Sequence, residues 1–176
     1  MGRNNNGRFI KISSGFSRVK ALELDGRHYY LLTCMDGRSV DDKNVPAREV
    51  ATTRLRAKEW PLYANTAHTT RFSKNDVCLI YVGGASKGGQ HFIGSGIIDR
   101  IVTAPRKWSE ADSKLLSAPA SSLLQFSDVE LWTSPVCIRD YINELRFITN
   151  KKRWGLHLIG GAKIIPREDY ETIRDR

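Results

Sequence analysis

Trp60 stands a few residues ahead of Asn65 and Thr66, and the polar stretch that holds them runs into an almost unbroken apolar segment, Val77 to Val82. A tryptophan ring at the mouth of such a segment is a platform for something planar, because its π-face gains from offset stacking. An amide and a hydroxyl beside it supply the donor and acceptors that would orient whatever stacks. The plainer alternative is that Trp60 fills a hydrophobic core. Of the other tryptophans, Trp108 falls in a long, polar, Pro-containing excursion, Trp132 alternates within a strand-like run and reads as core, and Trp154 follows a basic run.

Signals for other chemistry are missing. There is no Gly-x-Ser-x-Gly nucleophile elbow, since Gly94-Ser95-Gly96 lacks the spacing. Cys34, Cys78 and Cys137 are far apart and form no Cys-x-x-Cys pair, which argues against a structural zinc site. Cys78 and Cys137 lie inside apolar runs and read as core thiols, which fits a reducing, cytoplasmic setting. His28, His68, His91 and His157 show no metal-like spacing. The Gly-rich segment 83–90 joins two strands and opens no helix, so it is not read as a phosphate loop. The carboxylates show no motif assignable to acid/base work. The expectation is a chain without catalysis of its own and without metal or cofactor.

The totals point to a partner. The chain has 28 Lys+Arg against 19 Asp+Glu, a net charge of +9 over 176 residues. Such an excess attracts polyanions over about a Debye length, and nucleic acid is the commonest polyanion a soluble protein meets. No stretch approaches the roughly 18 apolar residues of a membrane span, and the N-terminus has no apolar signal-peptide region. A monomer of one main domain is expected, residues 28–176, with residues 1–27 as an extension, partly disordered at its polar start.

The elements that would position these residues can be read in order. Residues 28–34 form an apolar strand. Pro46 opens a helix, where its missing N–H costs nothing. Arg48, Arg54, Arg56 and Lys58 on that helix are phosphate contacts or simply a solvated face. Residues 77–82 and 91–102 are strands joined by the Gly-rich loop, and Gly94 and Gly96 mark a bulge or a tight barrel corner. The run 128–138 is a further strand with Pro135 at an edge or bulge. A short helix follows Pro166, with Glu168 and Asp169 complementing its dipole. Turn signals about every ten residues suggest a small mixed β-barrel with helices packed around it, an α+β fold.

The segment "LRFITNKKRWGLHLIGGAKIIPREDYETI", residues 145–173, resembles the C-terminal signature of EVE-domain proteins of the PUA-like superfamily. The segment "EWPLYANT…FSKNDVCLIYV" is similar to the same small prokaryotic branch, and Asn75-Asp76 stands where its Gly-Asp turn stands, a change that the positive φ open to Asn tolerates. The resemblance covers about residues 28–173. EVE domains are in turn similar in fold to YTH domains, readers of N6-methyladenine, and the order of elements fits both. It implies a PUA-like barrel that binds a modified base in DNA or RNA within an aromatic cage. Trp60 and Trp108 stand at the cage positions, with Asn65, Thr66, Thr33 and Cys34 nearest the base edge. Lys151, Lys152 and Arg153 would contact phosphates. Pro61, Met35 and Asp36 depart from the YTH pattern, which argues against an adenine-specific pocket. The alternatives are a PUA-like nuclease, or a protein-interaction module of a restriction or toxin system.

Overall fold

The computed structural model describes residues 26–86, 88–103, 115 and 120–176. The two most continuously apolar runs become its centre. Strand β1 (Tyr29–Cys34) and strand β5 (Val77–Val82) are buried at almost every position. They pair in parallel, from Tyr29 opposite Val77 to Cys34 opposite Val82. A strand covered on both faces reads as a continuous apolar run rather than an alternating one, which is why both were legible in the sequence.

Side chains alternate across these strands and feed two cores. Tyr30, Leu32, Cys34, Cys78, Ile80 and Val82 pack with Val50, Ala51 and Leu55 of helix α1 (Ala47–Arg56). Tyr29, Leu31, Val77, Leu79 and Tyr81 pack with Tyr170 and Ile173 of helix α2 (Arg167–Arg174) and with Leu145, Ile148 and Leu158. The chain between β1 and β5 also holds a two-stranded ribbon, β2 (Gly37–Arg38) with β3 (Asn44–Val45), and strand β4 (Glu59–Leu62). Strands β6 (His91–Thr103), β7 (Ser122–Cys137) and β8 (Ala162–Ile165) complete a six-stranded sheet in the order β4-β7-β6-β5-β1-β8.

Two differences from the sequence reading bear on the site. Residues 59–62 were expected to lead into a polar loop, but they pair antiparallel with the start of β7, Trp60 opposite Leu124. Pro61 is tolerated there because β4 ends the sheet, where a missing N–H breaks no ladder. The strand expected from residue 128 begins at Ser122 and is 16 residues long. Gly94 does mark irregular pairing: the register shifts between Phe92 and Gly94 against both neighbouring strands, and a Cβ on Gly94 would strike the Glu130 carbonyl oxygen of β7, whereas Gly96 pairs regularly with Val129 and Cys78. Asn75 adopts φ +72°, the left-handed turn foreseen for it. Residues 1–25 of the expected extension 1–27, and Trp108, lie outside the described residues.

Helices start where the prolines indicated, after Pro46 and Pro166. Asp169 has a further task. It is 2% exposed, and its carboxylate accepts from the backbone N–H groups of Arg146 (2.9 Å) and Phe147 (2.8 Å). It therefore fastens the 145–148 turn to α2 across the second core. Asp169→Ala leaves two donors without their acceptor, at a cost of about 3 kcal/mol, or a Tm lower by roughly 6–12 °C in a chain of this size. Glu168→Ala, at an exposed neighbouring position, should change Tm by little, and thermal denaturation of both variants checks the contrast.

Candidate functional site at the end of strand β1

At its C-terminal end β1 meets three other segments. The Thr33 N–H donates to the Gly161 carbonyl (2.9 Å), and the Cys34 carbonyl accepts from the Gly83 N–H (2.7 Å). The Gly160 carbonyl accepts from the Ala67 N–H (3.1 Å). Gly160 and Gly161 both adopt positive φ, +101° and +75°, a conformation that L side chains rarely adopt. A Cβ on Gly161 would stand 3.5 Å from the Thr66 side chain. The Gly160–Gly161 turn thus brings Thr33 and Thr66, distant in sequence, to one rim.

The loop carrying Thr66 is braced from within. The Thr66 hydroxyl accepts from the Tyr63 N–H (2.9 Å), and the Thr66 N–H donates to the Tyr63 carbonyl (2.9 Å). Tyr63 in turn accepts at its hydroxyl from the Arg54 guanidinium (3.1 Å). Asn65 is exposed, and its side-chain amide makes no hydrogen bond among the described residues. It offers a free donor and a free acceptor beside the rim. Met35, 58% exposed, and Ile159, 73% exposed, flank the same end of the sheet.

Trp60 and Cys34 do not belong to this surface. Trp60 is 3% exposed and packs in the core shared with Leu55 and Leu62, with the Arg54 guanidinium 5.5 Å from its ring centroid. Pairing of β4 with β7 turns the ring inward, so it presents no face to a ligand here. Cys34 is 3% exposed and lies in the same core, because strand alternation points it toward α1. For both residues the geometry favours packing over the base contact expected of them.

The basic run divides in the same way. The Lys151 ammonium donates to the carbonyls of Ile142 (2.7 Å) and Leu145 (2.6 Å). It is an internal clasp on two carbonyls, that of Leu145 shared with the Ile148 N–H (3.3 Å), not a free phosphate ligand. Lys152 and Arg153 are exposed, and their side chains make no ion pair among the described residues. The Asn150 side chain accepts from the Arg153 N–H (3.1 Å) and caps the 3-10 helix Lys151–Leu158. That helix leads directly into Gly160–Gly161, so two free cations and the polar rim share one stretch of chain. Trp154 packs against the second core under Arg139, 5.7 Å from its centroid, the packing role read for it.

A second brace escaped the sequence reading. Asp36 Oδ1 accepts from the Ala47 N–H (2.8 Å) at the start of α1, and its Oδ2 accepts from the Ser86 hydroxyl (2.8 Å) in the Gly-rich loop. Asn44 donates to the same hydroxyl (3.3 Å). These hydrogen bonds, that from Ala47 foremost, hold the Asp36 carboxyl below the usual range. Nothing local could have signalled a clasp between residues 50 positions apart. No group of three His, Cys, Asp or Glu among the described residues is arranged to hold a metal ion, and no helix there is long and apolar enough to cross a membrane.

No family model matches the chain. A UPF0310 protein of Pyrococcus horikoshii is 54% identical over 33 residues, a match that spans 18% of this chain and 23% of that protein's length. Among solved structures the chain is similar to the N-terminal domain of Staphylothermus marinus McrB, at TM-score 0.58 and 12% identity, over 85% of this chain and 94% of that one. It is also similar to an ASCH protein of Zymomonas mobilis, at TM-score 0.50 and 11% identity, over 85% and 95%. These likenesses show the fold: a PUA-like α+β arrangement, as expected.

Two variants test the site's architecture. Trp60→Ala should remove about 3–5 kcal/mol of stability, as large-to-small changes of buried aromatics do, and thermal unfolding without any ligand reads it. A normal Tm would place the ring outside the core. For Asp36 the folded-state pKa is depressed, so the clasp's contribution is complete at neutral pH and is lost only as pH falls below the ordinary carboxylate range, under about pH 4. The protection of the Ala47 amide, the slowing of its exchange relative to the unfolded chain at the same pH, should hold above that point and fall below it. Asp36→Asn should already lower it at pH 7.

Proposed function

We propose that this chain is a nucleic-acid-binding module that takes up a modified base of DNA or RNA at the β1 rim, without catalysis of its own. The observation that carries this reading is the Gly160–Gly161 turn, which contacts Thr33 and Thr66 on one side and continues the helix bearing Lys152 and Arg153 on the other. A base edge needs a donor and an acceptor in fixed places, and Asn65 with the two threonines supplies them. The phosphates on either side of that base need cations at the surface, and Lys152 and Arg153 are such cations. The net charge of +9 and the resemblance to EVE domains support the same reading. Stacking, in this reading, falls to Trp108. Extruding a base costs a few kcal/mol, which a stacked ring worth roughly 1–3 kcal/mol helps to offset.

The test is binding of labelled oligonucleotides, modified and unmodified, as a function of salt. With single strands, Lys152→Ala with Arg153→Ala should weaken all sequences alike and flatten the slope of log K against log salt by about 1.4, or about 0.7 for each phosphate no longer neutralised. Asn65→Ala and Trp108→Ala should act differently, lowering affinity for the modified oligonucleotide at unchanged Tm. A salt slope near zero in the unaltered protein sinks the nucleic-acid reading. Cleavage of the oligonucleotide would move the reading to a nuclease.

A further inference from the structure

In β7, Trp132 to Pro135 bow out of the ladder: Phe92 pairs with Val136 and Gly94 with Leu131, so four residues stand opposite Ile93 alone. Bulges cost paired backbone and re-aim side chains, often beside binding sites. This one faces the end of α2 and leaves a cavity of about 450 Å³ between them, within the range of small-molecule sites, roughly 300–1,000 Å³. Its lining includes Trp132, Thr133, Ser134 and Glu130 from β7, and Arg174 and Arg176 from α2 and the residues after it. The cavity lies on the α2 side of the sheet, away from the rim.

The mixture of groups narrows the occupant. A simple anion has no use for an indole and is repelled by a carboxylate. An apolar molecule has no use for two guanidinium groups. A nucleotide uses all of them. Trp132 is half-buried against the second core and still lines the cavity, so its exposed part can take a planar ring. Glu130 is exposed and its side chain makes no hydrogen bond or ion pair among the described residues, which suits a carboxylate accepting from sugar hydroxyls. Arg174 pairs with Asp175 at 2.7 Å and Arg176 with Glu144 at 3.1 Å, but those carboxylates are 62% and 54% exposed. Such surface pairs are weak; Arg174 also lies over the Tyr170 ring, and Arg176 over the Tyr141 ring with its Nε on the Thr172 carbonyl, contacts that hold the guanidinium groups in place and leave their terminal nitrogens to exchange a carboxylate for a phosphate.

We infer that this cavity is a nucleotide site, with the ring against Trp132, the sugar hydroxyls on Glu130 and the phosphate between Arg174 and Arg176. It is independent of the rim, and its occupant is either a free nucleotide or one nucleotide of a strand. Calorimetric titration of the full chain with the four 5′-ribonucleoside monophosphates, the matching nucleosides and inorganic phosphate tests it. At least one monophosphate should bind about tenfold or more tightly than its nucleoside or phosphate alone. Trp132→Phe, which keeps a ring, and Arg176→Gln, at the surface, should each weaken it by roughly tenfold at near-normal Tm. The Thr133 and Ser134 amide resonances should shift on binding. Displacement of the monophosphate by an oligonucleotide identifies a strand subsite, and its persistence identifies a free-nucleotide site. No binding at millimolar monophosphate, or phosphate binding as well as the nucleotide, or both variants binding like the unaltered protein, overturns the inference.

Discussion

Parallel, in-register pairing of Tyr29–Cys34 with Val77–Val82 is the constraint on which the remaining structure depends. Two strands that run the same way cannot be joined by a tight turn, so the chain must cross over one face of the sheet between them. That crossover is where α1 lies, and it covers one core. The other face is left for the residues after β7, and α2 with the 138–158 segment covers it. Once both faces are largely closed, the strand ends are left as places where backbone groups run out of partners and loops can gather.

The same constraint explains what could be read from residues alone. Strands β1 and β5 announce themselves because double burial demands uninterrupted apolar side chains. The helix starts are visible because proline acts locally. Gly94 is visible as an irregularity because the strand around it is otherwise regular. What could not be read are contacts whose partners are remote. Lys151 looks like its neighbours Lys152 and Arg153, and only the arrival of two carbonyls from residues 142 and 145 makes it internal. Asp169 looks like a first-turn helix acid until it is seen to hold the N–H groups of Arg146 and Phe147. Trp60 was legible as two alternatives, and the pairing of β4 with β7, some sixty residues apart, decides between them.

The charge excess has a corresponding division. Cations such as Lys151, Lys74 and Arg167 are occupied by carbonyls or carboxylates, while Arg48, Arg56, Lys152 and Arg153 make no ion pair or hydrogen bond with their side chains among the described residues. A net charge counts both kinds equally. Lys74 and Arg167 are offset by the carboxylates beside them, and Lys151 keeps its charge but has its ammonium turned to carbonyls, so the second kind supplies the side chains that can reach a phosphate.

The turn at Gly160–Gly161 also sets a schedule. Thr33 and Thr66 emerge early during synthesis, yet the carbonyl that meets the Thr33 N–H belongs to Gly161 and the one that meets the Ala67 N–H belongs to Gly160. Until that part of the chain has left the ribosome, the end of β1 is an unfinished edge with unmet amides. Closing it joins segments roughly ninety to a hundred and thirty residues apart, a loop whose entropy must be paid before its contacts form. Assembly of the rim is therefore coupled to completion of the sheet, and a nascent chain short of residue 161 has strands without the rim.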